Sequence, residues 1–333
     1  MTALNMFDVV TFGSATKDIF VRSKNFKLID SPEFLTDKAL AVEAGAKIYI
    51  DELIFTTGGG GTNTAATFAL QGLEVAYLGL VGDDVAGLEI IRELEKLGVV
   101  CDFIKVTAKA VTPHSIILSL PGKERSILVY AGAAHLLSEK DIPWEEIVKT
   151  KWFYLSGLSG NSAKVFEPII DFAKEEKIKL AVNPGHDQLI GNREITKKLL
   201  EKIDILIVNQ EEASMLAGVD YEDEEILFKK FDELVPGIAV MSKGPEGVAV
   251  SDGKNIYRAD IPQAGYVDRT GAGDAFGSGF VATIIKGGTI EEAIQFATAN
   301  ATATVQQIGA KNGLLAKGKW GPWPKVKVSV SKF

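Results

Sequence analysis

Short apolar runs alternate with amphipathic stretches along most of the chain. Several runs are apolar at every position, which is typical of strands buried on both faces of a parallel sheet. The predicted strands are residues 8–12, 74–81, 152–156, 179–183, 203–209, 238–243 and 247–251. The predicted helices are residues 86–97, 163–176, 194–202 and 290–307. The first of these helices follows Asp83 and Asp84 as a capping pair and ends at Gly98. This alternation predicts a three-layer α/β fold with a mostly parallel central sheet.

Two segments interrupt the alternation. Residues 23–56 and 111–130 contain no convincing helix pattern. The second segment is predicted to form a β-hairpin that turns at Pro121 and Gly122. Both segments leave the sheet near the ends of core strands, so we expect a small β-sheet lid, with a decorative edge hairpin as the alternative. This division assigns residues 1–22, 57–110 and 131–333 to the α/β core.

Composition narrows the class of protein. The 333 residues are 46% hydrophobic and carry a formal net charge of −8, which allows a sizeable core and argues against a nucleic-acid or anionic-membrane partner. Cys101 is the only cysteine, so no disulfide forms within the chain. No apolar run approaches the ~18 residues of a membrane span, and the start lacks the features of a signal peptide. A soluble, cytoplasmic protein is expected.

The first of two glycine clusters is GGGGTNTAATFALQG, which starts at Gly58. Glycines let the backbone approach a ligand closely, and Asn63 lies where a helix is predicted to begin. A flexible hinge followed by a capped helix is the alternative interpretation.

The second cluster is DRTGAGDAFGSGF, residues 268–280. Its glycines run directly into an apolar pattern with helical spacing. We therefore expect the backbone N–H groups of residues 271–274 to converge at the positive end of a helix, which suits a phosphate or a phosphoryl group in transfer. Alternatively, the glycines serve packing and Asp274 caps the helix. In either case Asp274 is expected to have a lowered pKa.

Neither cluster matches the two commonest phosphate loops. No G-x-x-x-x-G-K-[ST] occurs in the chain, and Gly271, Gly273 and Gly277 are spaced one residue too widely for the dinucleotide fingerprint. This weakens assignments to P-loop NTPases and to NAD-dependent oxidoreductases. It leaves a nucleotide-using α/β enzyme with a different phosphate loop.

Two more stretches support nucleotide binding. In VNQEEAS, Asn209 and Glu212 follow a buried strand, where they could hold Mg²⁺ through water or form a helix capping box. In SKGPEG, Lys243 could reach a phosphate while Gly244 and Gly247 shape a nucleotide-binding turn, with an ordinary β-turn as the alternative.

In this order, the four stretches resemble the ribokinase-like (PfkB) carbohydrate kinase family over nearly the whole chain. The first cluster, extended to GGGGTNTAATFALQGLEVAYLGLVGDD, resembles its first signature, and DRTGAGDAFGSGF resembles its second. The resemblance implies a ribokinase-like three-layer sandwich with a β-lid. It also implies ATP-dependent phosphotransfer to a hydroxyl group, in particular a hydroxymethyl group, of a small sugar or sugar acid. Mg²⁺, an optional K⁺ and a homodimer formed through the lid are further implications.

The resemblance also assigns roles to matching positions. Asp274 would be the general base. The anion hole would consist of Gly271, Ala272 and Gly273. Substrate would be bound by Asp18, Gly58, Gly59 and Asn63. ATP would be surrounded by Asn183, Asn209, Lys243, Gly244, Gly247 and Asn300. Glu212 would order Mg²⁺ indirectly, and Asp268 and Thr270 are candidate ligands for a monovalent cation.

The chain departs from the family pattern at two positions. Arg269 stands where the second signature commonly has threonine, next to the candidate cation site. Gly60 stands where sugar kinases often have a lysine, which leaves the acceptor open. A nucleoside kinase of the same architecture is the alternative, with Phe20 or Phe55 contacting the base. A catalytically silent binding protein is disfavoured because Asp274 and its glycine turn are intact.

Overall fold

The computed structural model of the chain describes residues 7–34, 36–120, 125–191 and 193–332. Its strands, numbered along the chain, are β1 (Phe7–Phe12), β2 (Thr16–Arg22), β3 (Lys27–Asp30), β4 (Lys38–Ala41), β5 (Glu52–Gly58), β6 (Val75–Gly82), β7 (Ile104–Thr107), β8 (His114–Ser119), β9 (Arg125–Tyr130), β10 (Thr150–Ser156), β11 (Lys179–Asn183), β12 (Ile205–Asn209), β13 (Ile238–Ser242), β14 (Val248–Ser251), β15 (Asn255–Ala259) and β16 (Val328–Lys332). Its helices are α1 (Gly60–Leu70), α2 (Val85–Lys96), α3 (Trp144–Ile147), α4 (Phe166–Glu175), α5 (Arg193–Leu199), α6 (Gln210–Ala217), α7 (Glu224–Leu234), α8 (Ala272–Ile285) and α9 (Ile290–Val305).

Ten of the described strands form the central sheet, in the order β16-β15-β14-β13-β12-β11-β10-β1-β6-β7. Neighbouring strands from β13 to β7 run parallel. The remaining strands, β14 to β16, extend the sheet in antiparallel fashion. The predicted mostly parallel sheet is confirmed, and each predicted core strand coincides with an observed strand to within two residues at either end.

Apolar side chains form two cores, one on each face of the central sheet. In β10, Phe153 and Leu155 belong to one core and Tyr154 to the other, because successive strand residues point to opposite faces. Helices α4, α6 and α7 contribute to the first core, and α1, α8 and α9 to the second. Burial on both faces explains why these strands have nearly continuous apolar sequences. No helix in the described ranges combines the length and apolar character needed to cross a membrane.

A smaller sheet, in the order β5-β2-β8-β9, forms the predicted lid. Its pairing corrects one predicted boundary. Strand β2 was assigned to the core with residues 1–22, but it pairs with β5 and β8 in the lid. The apolar pattern of a strand does not reveal which strands it pairs with. Strands β3 and β4 form a separate two-stranded sheet. The predicted turn at Pro121 and Gly122 lies outside the described residues, but its arms β8 and β9 pair antiparallel as expected.

Helix α2 is capped by Asp84, and the same carboxylate joins the core to the lid. Asp84 Oδ1 accepts hydrogen bonds from the Gly87 amide (2.8 Å) and the Thr112 hydroxyl (2.7 Å). Its Oδ2 accepts one from the Thr112 amide (2.7 Å). Asp83 is exposed, so the predicted capping pair reduces to one residue. Thr112 lies just before β8, and Asp84 therefore fixes the point where the chain enters the lid.

We expect Asp84→Ala to lower the free energy of unfolding by about 2–3 kcal/mol, because it removes a helix cap and leaves the Thr112 donors without their acceptor. Urea unfolding at neutral pH measures the effect. Asp83→Ala is the matched control and should change stability by less than about 0.5 kcal/mol. Equal losses in the two variants would contradict the assignment.

Candidate active site

The second glycine cluster forms a tight turn in front of α8. Asp268 organises this turn: its Oδ1 accepts hydrogen bonds from the amide (3.1 Å) and hydroxyl (2.8 Å) of Thr270, and its Oδ2 accepts one from the Gly309 amide (3.3 Å). Gly271, the N-cap of α8, has a φ of 78°. A Cβ at this position would lie 2.3 Å from the Cβ of Ala310. The backbone and its neighbours therefore both require glycine here.

A residue of the lid faces this turn. The Arg125 guanidinium, at the start of β9, lies 3.8 Å from Asp268 Oδ1. Its Nε is buried and has no hydrogen-bond partner among the described residues. The lid thus places a cation directly over the loop that precedes α8.

Asp274 lies in the first turn of α8 and contacts the first glycine cluster. The Asn63 amide group, in α1, donates a hydrogen bond to Asp274 Oδ2 (2.8 Å), although the two residues are 211 positions apart. Burial raises the pKa of Asp274, while the Asn63 hydrogen bond and the charge of Lys311 oppose the rise. The predicted lowering of this pKa at a helix N-terminus is therefore wrong, because desolvation outweighs the helix dipole. A raised pKa makes the carboxylate a better proton acceptor.

Asp18 lies in β2 of the lid and is only 4% exposed. A Cβ at Gly58 would lie 2.1 Å from its Oδ2, so the absence of a side chain at Gly58 makes room for the carboxylate. Burial raises the pKa of Asp18 to about 6, with a hydrogen bond from Ser115 and the charge of Lys311 limiting the rise. The neighbouring charges of Asp268 and Asp274 raise it further. Asp18 thus belongs to one electrostatic cluster with Asp274 and Lys311.

Several buried polar atoms near this cluster have no hydrogen-bond partner within the described ranges, among them Asn63 Oδ1, Tyr154 Oη and Ser156 Oγ. A Cβ at Gly60 would lie 3.2 Å from Ser156 Oγ and 3.6 Å from Asp274 Oδ1. The missing side chain therefore leaves a gap bordered by both groups. Buried polar atoms are rarely left unsatisfied, so this arrangement is typical of a site whose ligand completes the hydrogen bonds.

Sequence reasoning did not single out Tyr154 and Ser156. Both are in the last three residues of β10, within an apolar run that is indistinguishable from other core strands. The one available signal was their position at the carboxyl end of a parallel strand, where open α/β sheets bind ligands.

A cavity of about 370 Å³ opens beside the N-terminus of α8. Gly244 and Gly247, from the predicted nucleotide turn, line it together with Ala272 and Gly273 from the predicted anion hole. Apart from its neighbours in the first turns of α8, a Cβ at Gly273 would meet no atom of the described residues within 4 Å, so this position faces open space. The cavity thus brings together two sequence motifs predicted to contact a nucleotide.

Arg269, which the sequence left without a role, lines the same cavity. Its guanidinium lies 4.5 Å from the centre of the Tyr266 ring, a distance typical of a cation–π contact. The side chain therefore belongs to the wall of the cavity.

Three residues predicted to bind nucleotide or metal are engaged with the protein itself. Asn209 and Glu212 form the capping box of α6: Asn209 Oδ1 accepts from the Glu212 amide (2.9 Å), and Glu212 Oε2 accepts from the Asn209 amide (2.8 Å). Lys243 Nζ lies 3.1 Å from Glu224 Oε2. Within the described ranges, no group of three or more His, Cys, Asp or Glu side chains is placed to hold a metal ion directly.

The two remaining asparagines differ in position. Asn183 ends β11, and its side-chain amide donates to the Ile207 carbonyl (2.9 Å). Asn300 is fully buried; its side chain donates to the Ala275 carbonyl (2.8 Å) and accepts from the Leu315 amide (2.9 Å). Asn300 therefore does not line this cavity; it joins α8, α9 and the following segment.

Comparison with known proteins identifies kinases that this chain resembles over most of its length. Ribokinase from Haemophilus influenzae is 29% identical over 262 residues, which cover 77% of this chain and 83% of that protein. A nucleoside kinase from Methanothermobacter thermautotrophicus is 25% identical over 278 residues, covering 81% and 87%. The structure of Arabidopsis thaliana ribokinase complexed with ribose and ATP superposes with a TM-score of 0.77 at 26% identity, covering 93% of this chain and 96% of that one.

A family model spans both glycine clusters and most of the lid. Residues 20–317 match the model described as the pfkB family carbohydrate kinase. The match covers well over half of the chain. The chain therefore belongs to the pfkB family of carbohydrate kinases, which makes it a phosphotransferase that acts on a hydroxyl group.

Proposed function

We propose that the protein transfers the γ-phosphoryl group of ATP to a hydroxymethyl group of a small sugar or sugar acid. The contact between Asn63 and Asp274 carries this proposal. Asn63 engages one oxygen of the carboxylate, and the other oxygen borders the gap at Gly60. An acceptor hydroxyl in that gap would lie next to a carboxylate held in a fixed orientation.

In this mechanism Asp274 accepts the proton of the attacking hydroxyl, and Asp18 accepts hydrogen bonds from other hydroxyls of the acceptor. The backbone N–H groups of Gly271 to Gly273, at the positive end of α8, stabilise charge on the transferring phosphoryl group. Phosphoryl transfer passes through a loose transition state, so positioning contributes more than the strength of the base. The lid keeps water out of the site and limits ATP hydrolysis.

ATP would occupy the cavity of about 370 Å³ lined by Gly244, Gly247 and Gly273. Mg²⁺, ordered through water by Glu212, would neutralise phosphate charge when bound. The carboxylate of Asp268 already accepts hydrogen bonds from Thr270 and Gly309. A K⁺ ion bound at Asp268 and Thr270 would therefore compete with these hydrogen bonds.

A nucleoside kinase is the second candidate, because one aromatic side chain lies on the substrate side of the lid. Phe20 is two residues after Asp18 in β2, on the same face, and is 3% exposed. Such a ring could contact a nucleobase.

The lid also carries exposed apolar side chains. Leu128 and Val129 of β9 are among them, which supports the proposed homodimer through the lid.

We expect Asp274→Asn to reduce kcat by orders of magnitude with little change in ATP affinity, because it removes the base without altering the nucleotide cavity. The acceptor is first chosen by assaying ribose, fructose, 2-keto-3-deoxygluconate, adenosine and cytidine with ATP. Turnover of the nucleosides alone would identify the acceptor as a nucleoside instead of a sugar. Asp102→Asn, at an exposed position, is the control. An Asp274→Asn enzyme with most of its activity would refute the role of this residue.

The Gly273→Ala variant distinguishes an effect on the proposed anion hole from an effect on the stability of the fold. Beyond the backbone of its own helix, the added methyl group would contact no atom of the described residues, so we expect an unchanged melting temperature. It would, however, project into the space assigned to the phosphoryl group and reduce kcat/KM by about 10-fold or more. Thermal unfolding and steady-state kinetics measure the two effects. Full activity in this variant would show that the phosphoryl group passes elsewhere.

Asp18→Asn should stabilise the protein at neutral pH. The pKa of Asp18 is about 6 in the folded protein against 3.8 for an unperturbed aspartate, so its ionisation costs stability as pH rises through this range. Removing the charge should raise the free energy of unfolding at pH 8 by about 1–3 kcal/mol, and the gain should vanish below about pH 4. Urea unfolding at both pH values tests this, with exposed Asp30→Asn as the control. A destabilised variant at pH 8 would contradict the assignment.

A further inference from the structure

The cavity beside the N-terminus of α8 has an unusual distribution of charge. Of the described residues that line it, Arg269 is the only one with a charged side chain, and no carboxylate is among them. Many of the other lining side chains are apolar, such as Ile261, Pro262 and Phe276. A lone cation in such surroundings makes the local potential positive, which favours an anionic ligand.

Arg269 is held in position without using its hydrogen-bond donors. Its guanidinium lies over the Tyr266 ring, at 4.5 Å from the ring centre. Attraction to the face of a ring requires none of the five N–H donors of a guanidinium group. Within the described part of the chain, no ion pair or side-chain hydrogen bond engages these donors. They are therefore available to a ligand, while Tyr266 restricts where the group can lie.

Lys243, the cation that the sequence assigned to a phosphate, is already paired. Its Nζ donates to Glu224 Oε2 (3.1 Å), and the two side chains are only 22% and 18% exposed. Lys243 does not line the cavity, although Ser242 and Gly244 on either side of it do. Among the described residues, Arg269 is thus the cation left to neutralise phosphate charge in this cavity.

Arg269 also belongs to the turn that forms the predicted anion hole. It lies two residues before Gly271, the N-cap of α8, and its carbonyl accepts a hydrogen bond from the Ala272 amide (3.3 Å). Ala272 and Gly273 line the same cavity as the Arg269 side chain. A phosphate chain that reaches the N–H groups of this turn would therefore lie beside a guanidinium, whose donors match phosphate oxygens in pairs.

We propose that Arg269 binds the polyphosphate chain of the nucleotide donor, with Tyr266 as the residue that positions it. The proposal rests on the kinase function proposed above and deepens it, because it names a residue by which the enzyme distinguishes a nucleoside di- or triphosphate from the bare nucleoside. The threonine that is common at this position in the family carries no charge. The contact is therefore a feature of this chain and not of the second signature in general.

The test measures dissociation constants of ATP and ADP by calorimetry in the presence of Mg²⁺, and that of adenosine by its displacement of bound ADP. We expect Arg269→Met to weaken the binding of ATP and ADP by about 10-fold and to leave adenosine within about 2-fold, because charge-assisted hydrogen bonds to phosphate are lost. Arg269→Lys should recover part of the loss, since it restores the charge without the planar donors. Tyr266→Leu should weaken ATP binding by a smaller factor. In kinetic assays, Arg269→Met should raise the KM for ATP and leave the KM for the acceptor unchanged.

Arg92→Met, at an exposed position of α2, is the matched control and should alter none of these constants. An equal loss of affinity for adenosine in Arg269→Met would assign the side chain to the nucleoside part of the ligand and overturn the proposal. Unchanged affinity for all three ligands would also overturn it, while the kinase function would stand. A wild-type protein that does not bind ATP would instead refute the kinase function itself.

Discussion

The hydrogen bond between Asn63 and Asp274 is the contact on which the site depends. It forms only if α1 and α8 begin side by side at the same edge of the central sheet. Phe68 of α1 and Phe276 of α8 belong to the same core, together with Tyr154 of β10, so apolar packing holds the two helices in this position. The core thus sets the orientation of a polar pair that neither glycine cluster could fix alone.

Around that pair, the protein keeps charged groups where water is scarce. Two acidic side chains, Asp18 and Asp274, have raised pKa values, and burial is the largest cause in both cases. Lys311 partly compensates them, and Arg125 lies near Asp268. Low dielectric strengthens each of these interactions, which favours a substrate that matches the charges and disfavours one that does not. The same burial weakens the fold, a common feature of sites selected for chemistry.

Much of the fold could be predicted from the sequence, for physical reasons. Strands buried on both faces must be apolar throughout, and β11 has the same bounds in the sequence prediction and in the structure. Pairing between distant segments leaves no local pattern, which is why β2 was placed with the core. Asn300 illustrates the same limit for side chains: its partners, Ala275 and Leu315, are remote in sequence, so its burial could not be foreseen.

The residues of the candidate site that lie in glycine-rich motifs could be predicted from the sequence, whereas those in ordinary strands and loops could not. Gly271 and Asp274 stand in a motif whose backbone demands are visible in the sequence. Tyr154 and Ser156 end a strand that resembles any other, and Lys311 lies in a short loop with no helical or strand pattern. The chemistry of these three residues comes from burial, which depends on the assembled fold.

The ion pair between Arg125 and Asp268 has a consequence for the catalytic cycle. One partner belongs to the lid and the other to the turn before α8, so any motion that lifts the lid also separates two opposite charges. Asp268 is 6% exposed and would lose its nearest cation in a poorly hydrated place. Opening would therefore break an ion pair at the turn before α8 as well as the contacts of the lid itself. In enzymes with such covers, release of product is often slower than the chemical step. Breaking the Arg125–Asp268 pair would add to the barrier of that step.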